Sequence, residues 1–285
     1  MKTWPDDSPL ISAESLRNLA GSPDLLVVDC RHDLANLAFG RNAYAAGHIP
    51  GAVFASLDEH LAAPKRAETG RHPLPAPRDF AAVLGSWGFT ELSRVVAYDQ
   101  GGGPYAARLR WMLRARGHQR AQVLDGGFAA WLAAGGATET TTPVITPTYV
   151  AARGFTGETS TPEVAAQLAA RAITLFDARG ADRFAGRNET VDPVAGHVPG
   201  AISMPYTGNL DAQQRFLSPQ ELRARWAGIA AQSRNAPLVA MCGSGVTACH
   251  NLLALELAGF ADARLYAGSF SEWITDPARP VATGE

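Results

Sequence analysis

The chain has 285 residues, which allows one large domain or two of ordinary size. Hydrophobic residues make up 46% and charged residues 18%, a globular composition that excludes a disordered chain. The formal net charge of −2 gives no electrostatic reason to expect nucleic acid or an anionic membrane as a partner, and no apolar run approaches the length of a bilayer span. The opening MKTWPDDSPL lacks the basic-then-apolar pattern of a signal peptide. Three cysteines are too few for a disulfide scaffold, and their number is odd. A reducing cytoplasm is the expected compartment, with Cys30, Cys242 and Cys249 as free thiols.

In chain order, SAESLRNLAG reads as a helix with Ser12 as its N-cap. LLVVD, RVVAYD and AQVLDGG read as strands buried on both faces. YAARLRWMLRARGH is a longer helix ended by Gly117. Gly135 to Gly157, rich in Thr, Pro and Gly, reads as an extended linker that lies against both flanking domains, because Val144, Ile145, Tyr149 and Val150 are too apolar for a free tether. Beyond it, STPEVAAQLAA is a helix capped by Ser160 or Thr161, with Pro162 in its first turn. TLFDA, PLVAMC and ARLYAGS are strands, and VTACHNLLALELAGF is a helix ended by Gly259.

The two halves repeat one another. LLVVDCR answers to ITLFDAR, AGHIPGAVFASL to AGHVPGAISMPY, RVVAYDQGGG to PLVAMCGSGV, and VLDGGFAAW to LYAGSFSEW, in the same order. The expected organisation is a first copy over residues 12–136, a linker over 137–158 and a second copy over 159–283. Alternating strands and helices give each copy an α/β fold, a mainly parallel open sheet with helices on both faces, whose ligands bind beyond the carboxyl ends of strands.

Cys242 sits at one such end, followed by Gly243, Ser244 and Gly245 and then a helix. A thiolate is the sulfur nucleophile, and this sequence favours one. The glycines let the backbone curl so that N–H groups point inward, the helix N-terminus adds partial positive charge, and Ser244 and Thr247 add hydroxyls. At roughly 1.5–3 kcal/mol per charge-assisted bond, two or three would lower a cysteine pKa by ~2 units. The enzymatic reading needs that side chain within reach of solvent and those amides aimed at it.

The duplicated pattern, with GHIPGA, GHVPGA and CGSGVTA, resembles the two-domain rhodanese sulfurtransferases from about Ser12 to Val281. The resemblance implies an active second domain and an inert first one, and Asp99 occupies the first-copy position of Cys242. It implies sulfane-sulfur transfer through a Cys242 persulfide to a thiol such as thioredoxin, to a small thiol or to cyanide, with no cofactor or metal. Members reading C-G-S-G-V-T tend to use 3-mercaptopyruvate, whereas thiosulfate-preferring members tend to carry basic residues after the cysteine. Thiosulfate is a compact dianion that benefits from nearby cations, and Gly243 and Ser244 supply none. Arg183 is the implied clamp for the substrate carboxylate, alongside Gly243, Gly245, Val246 and Thr247 of the loop. Arg179, following a strand-end aspartate as Arg31 does, reads instead as half of a structural ion pair. The further arginine that such members often carry before the second GH is missing, so the clamp is incomplete or Arg187 completes it. For proton transfer the resemblance implies Ser244 with a histidine and an aspartate of the first copy, for which His48 and Asp33 are the candidates. His197 shares the motif of His48, so a common turn also explains both.

Three rivals stand beside this reading. Thiosulfate:cyanide transfer is the nearest. A persulfide carrier without turnover is the non-enzymatic one. A cysteine phosphatase needs C-x5-R, but Ala248 stands at the arginine position. A metal site from Cys242, Cys249 and His250 lacks any paired ligand spacing.

Overall fold

A computed structural model of the chain describes residues 7–233, 236–260 and 262–284. Met1 to Asp6, the start of the stretch read for a leader, lie outside them. The chain forms two compact units. The first takes the residues up to Ala63, Pro75–Thr156 and Ala212–Phe216; the second takes Pro64–Leu74, Gly157–Asp211 and the residues from Leu217.

In the first unit β1 (Leu10–Ile11), β2 (Leu25–Asp29), β3 (Val53–Phe54), β4 (Arg94–Tyr98) and β5 (Ala121–Leu124) form one sheet in the order β1-β5-β4-β2-β3. Every pairing in it is parallel. The apolar runs of β2 and β4 become its interior because helices cover such sheets on both faces. Val27, Val96, Tyr98 and Leu124 pack with Leu16 and Trp131 in the core.

In the second unit β6 (Thr174–Asp177), β7 (Ile202–Ser203), β8 (Leu238–Met241) and β9 (Arg264–Leu265) follow the order β7-β6-β8-β9, again all parallel. A parallel bridge from Glu158 to Leu265 stands where β1 stands in the first unit. Val164, Leu175, Val239, Met241, Phe270 and Trp273 form its core. The helix Thr161–Ala169 starts from a capping box in which Ser160 and Glu163 satisfy each other's backbone N–H groups.

Paired landmarks confirm one fold used twice. Arg31 grips Asp29 and reaches Gly47 O at 2.7 Å; Arg179 grips Asp177 and reaches Gly196 O at 2.8 Å. Both are buried ion pairs at the end of a strand, each reaching the glycine of a GH motif, as the sequence suggested for Arg179. The linker departs from expectation. It hangs on the first unit through Thr148, whose N–H reaches Gly85 O at 3.0 Å, while Val144 and Tyr149 are exposed rather than packed. Ile145 and Val150 are half-buried beside Gly88 and Gly85, so backbone anchoring and two of the four apolar side chains hold it there.

The loop after β4 displays what this turn does to an anion. Asp99 is fully buried, and its carboxylate accepts the N–H groups of Gly101 (3.2 Å), Gly103 (3.0 Å), Tyr105 (3.0 Å) and Ala106 (3.4 Å). Burial pushes its pKa above the ordinary value while these four bonds pull against that shift. Asp99→Ala would leave the amides without an acceptor. The expected cost is about 3 kcal/mol or more, a fall in melting temperature on the order of 5–10 °C by calorimetry. An unchanged melt would show that the cradle does not depend on the carboxylate.

Candidate active site

Cys242 follows β8 directly, at the carboxyl end of a central strand of the second sheet. Its backbone is fixed on both sides. The Cys242 N–H donates to Ser269 Oγ at 3.1 Å, and Phe270 N–H donates to Cys242 O at 3.0 Å. Ser269 holds a left-handed φ of 54°, and its hydroxyl donates on to Tyr266 O at 2.8 Å. Gly245 turns the chain with φ 77° into the helix Val246–Leu257 and donates its N–H to Cys242 Sγ at 3.1 Å. Val246 and Thr247 form the first turn of that helix, where backbone N–H groups lack intrahelical acceptors. One amide of the turn, that of Gly245, reaches the sulfur, where four reach the Asp99 carboxylate in the first unit. Cys242 is buried, only 2% exposed, which runs against the expectation of a side chain within reach of solvent, while the Gly245 amide is aimed at it as expected. Cys249, one turn into the helix, is buried with its thiol on Gly245 O at 3.2 Å. Among the described residues no His, Cys, Asp and Glu cluster could hold a metal ion.

Around the sulfur the second unit assembles groups from three stretches. Ser244 Oγ lies 2.8 Å from His72 Nδ1, and both residues are buried. His72 comes from the 64–74 segment, which precedes the linker in sequence but packs in the second unit. Ser271 ties that segment to the loop: its Oγ accepts Arg71 N–H at 2.9 Å, and its own N–H donates to Gly243 O at 2.9 Å. Arg71 and Arg183 then converge on Gly243. A Cβ at that position would lie 2.9 Å from Arg71 Nη2 and 3.7 Å from Arg183 Nη2, so the glycine is what admits the guanidinium. Asp192 bridges the arginines, with Oδ1 on Arg71 Nη1 and Oδ2 on Arg183 Nη2 at 2.9 Å. Glu189 holds Arg183 Nε at 3.0 Å and accepts the N–H groups of Val191 and Asp192 at 2.8 and 2.9 Å. Burial raises the Glu189 pKa, but Arg183 and those two amides outweigh burial and bring it below the usual carboxylate range.

Three sequence candidates are corrected. His48 is fully buried inside the first unit, with Nδ1 on Tyr44 O at 2.8 Å and Nε2 on Thr141 O at 3.3 Å, its ring stacked on Tyr44 at 3.8 Å. His197 does the same in the second unit, with Nδ1 on Phe184 O at 2.9 Å and its ring stacked on Phe184. The backbone of each makes an antiparallel bridge, His48 to Glu139 and His197 to Ala282. The GH motif is therefore a structural clip, and the histidine on Ser244 is His72. Asp33 is an exposed turn residue whose Oδ1 accepts Ala35 N–H at 2.8 Å. Arg187 pairs with Asp182 at 3.1 Å on the surface and does not complete the clamp; Arg71 stands beside Arg183 instead. Cys242, Gly243, Ser244, Gly245 and Arg183 are brought together as expected, and Arg71, His72, Glu189 and Asp192 join them unforeseen.

A cysteine on a strand tip, under the amide of a loop that leads into a helix, in the second of two like sheets, defines a class. The Rhodanese-like domain family matches residues 12–134 and 160–276, and the chain belongs to that family as a tandem protein. Its relatives are sulfurtransferases. A Pseudomonas aeruginosa protein named "Probable 3-mercaptopyruvate sulfurtransferase" is 46% identical over 97% of this chain and 98% of its own length. Bovine thiosulfate sulfurtransferase is 34% identical over 92% of this chain and 89% of its own. The solved 3-mercaptopyruvate sulfurtransferase from Leishmania major superposes with a TM-score of 0.81 at 31% identity, covering 95% of this chain and 75% of that one.

Proposed function

We propose that this rhodanese-family sulfurtransferase takes sulfur from 3-mercaptopyruvate through a persulfide on Cys242 and passes it to a thiol, thioredoxin or a small thiol, or to cyanide. The observation that carries the reading is the Gly245 N–H on Cys242 Sγ at 3.1 Å, within a loop of neutral residues. In the first step the Cys242 sulfur anion attacks the substrate sulfur. The Sγ–S bond forms, the C–S bond breaks, and its electron pair goes to carbon as the enolate of pyruvate. The proton from the donor's S–H group then passes to that carbon, leaving pyruvate and a persulfide anion. Ser244 and His72, hydrogen-bonded at 2.8 Å, are the groups placed to carry it. In the second step the acceptor attacks the outer sulfur, and Cys242 leaves as the thiolate. Arg183 and Arg71 receive the donor's carboxylate and carbonyl, and the Gly245 amide, in the loop that also holds Gly243, Val246 and Thr247, steadies the sulfur.

The loop from Gly243 to Thr247 carries no cation, whereas thiosulfate is a dianion. The relative named for thiosulfate makes donor choice the question to settle. With one acceptor, kcat/KM for 3-mercaptopyruvate should exceed that for thiosulfate by about tenfold or more, read as pyruvate and sulfite release. A thiosulfate preference of that size would overturn the donor assignment. A chain that takes sulfur once but sustains no pyruvate release would be a carrier.

A further inference from the structure

We propose that Asp192 is a positioning and specificity-determining residue. It ties Arg71 and Arg183 to one carboxylate beside Gly243 and cancels one positive charge where the donor's anionic group binds. The inference rests on the reading that these arginines receive the donor.

Three observations carry it. First, the Asp192 side chain is 1% exposed, yet both its oxygens are spent on the two arginines rather than on its own backbone or on solvent. A buried carboxylate placed between two guanidiniums fixes their separation, since without it the like charges repel at close range. Secondly, Asp192 lies at the cysteine loop: a Cβ on Gly243 would be 3.7 Å from Asp192 Oδ2 and 2.9 Å from Arg71 Nη2. The carboxylate takes Nη1 of Arg71 and leaves Nη2 directed over the loop. Thirdly, the charges balance. Against Arg71 and Arg183 stand Asp192 and Glu189, while Arg179 is committed to Asp177 and lies 3.6 Å from Glu189. Two guanidiniums would otherwise make a good seat for a dianion. Balanced by two buried carboxylates, they keep their directed N–H donors without a net field. That combination suits a singly charged carboxylate, whose binding relies on oriented hydrogen bonds, over thiosulfate, whose binding relies on charge.

Asp192→Asn keeps the shape and removes the charge, and Asp192→Glu keeps the charge. The quantity to measure is kcat/KM for thiosulfate divided by kcat/KM for 3-mercaptopyruvate, both taken on one preparation so that any misfolded fraction cancels. In Asp192→Asn this ratio should rise about tenfold or more, mainly through a lower thiosulfate KM with kcat little changed. In Asp192→Glu it should stay within about threefold of wild type. A ratio unmoved in Asp192→Asn, or moved equally in both variants, would overturn the inference. Inhibition constants for sulfate and pyruvate supply an arm that does not depend on which donor the enzyme uses. Sulfate should gain on pyruvate by about tenfold in Asp192→Asn. If wild type turns over only thiosulfate while sulfate still gains in this way, the donor assignment fails and the role of Asp192 stands. If wild type prefers 3-mercaptopyruvate and neither ratio moves, the reverse holds.

Discussion

Cys242→Ser should abolish sulfur transfer from every donor, with kcat/KM lower by more than about 10⁴-fold. The expectation follows from the contacts around the residue. The N–H bond to Ser269, the O bond from Phe270 and the turn at Gly245 involve the backbone, so a serine sits in the same frame. What disappears is the sulfur atom to which the proposed function assigns the persulfide. Wild-type protein incubated with donor alone should gain the mass of one sulfur atom on the peptide bearing Cys242, and the variant should gain none. Residual turnover at more than about a thousandth of wild type would mean that another residue accepts the sulfur. The two remaining cysteines, Cys30 and Cys249, would then be the ones to test. Cys30 is fully buried beside Asp29 and Asp99, and its thiol is pushed well above the ordinary cysteine range by burial first and by those carboxylates second, which makes it a poor nucleophile.

The second large effect belongs to His72. His72→Asn keeps a polar group near the position of Nδ1 but cannot accept and release a proton. With 3-mercaptopyruvate, kcat should fall about 10²-fold or more while KM changes little, because the loss is in proton delivery to the leaving carbon. Thiosulfate leaves as sulfite without needing a proton on carbon, so its turnover should fall far less. The contrast between donors separates a proton-transfer role from a purely structural one, which would depress both equally. Equal loss with the two donors would leave His72 as a support for Ser244 and no more.

Much of this molecule is legible in its sequence because the fold is written twice. The apolar runs LLVVD, RVVAYD, TLFDA and PLVAMC stand out, since parallel strands buried on both faces cannot tolerate polar interruption, and each recurs in order. Cys242 is legible because the small residues after it match a local backbone requirement, a left-handed turn into a helix. His48 misleads for an instructive reason. GHIPGA and GHVPGA are conspicuous as a repeated motif, but repetition in a copy with Cys242 and a copy with Asp99 at the same place marks what both copies need in order to fold. A better signal is asymmetry: the second repeat has no histidine between His197 and His250, whereas the first has His60 and His72 after His48. Arg71, Glu189 and Asp192 carry no such mark. They lie on loops without periodicity and find their partners through the tertiary fold, in the case of Arg71 and Asp192 across 121 residues of sequence. Pattern rules of period two or 3.6 do not reach that far.

The passage of residues 64–74 into the second unit, with 212–216 belonging to the first, limits how this protein can be taken apart. Its halves look like interchangeable cassettes, yet a gene severed at the Thr- and Pro-rich connector would yield one product bearing Cys242 and Arg183 and another bearing Arg71 and His72. The first repeat in sequence thus supplies a strip of chain that the second unit is built with.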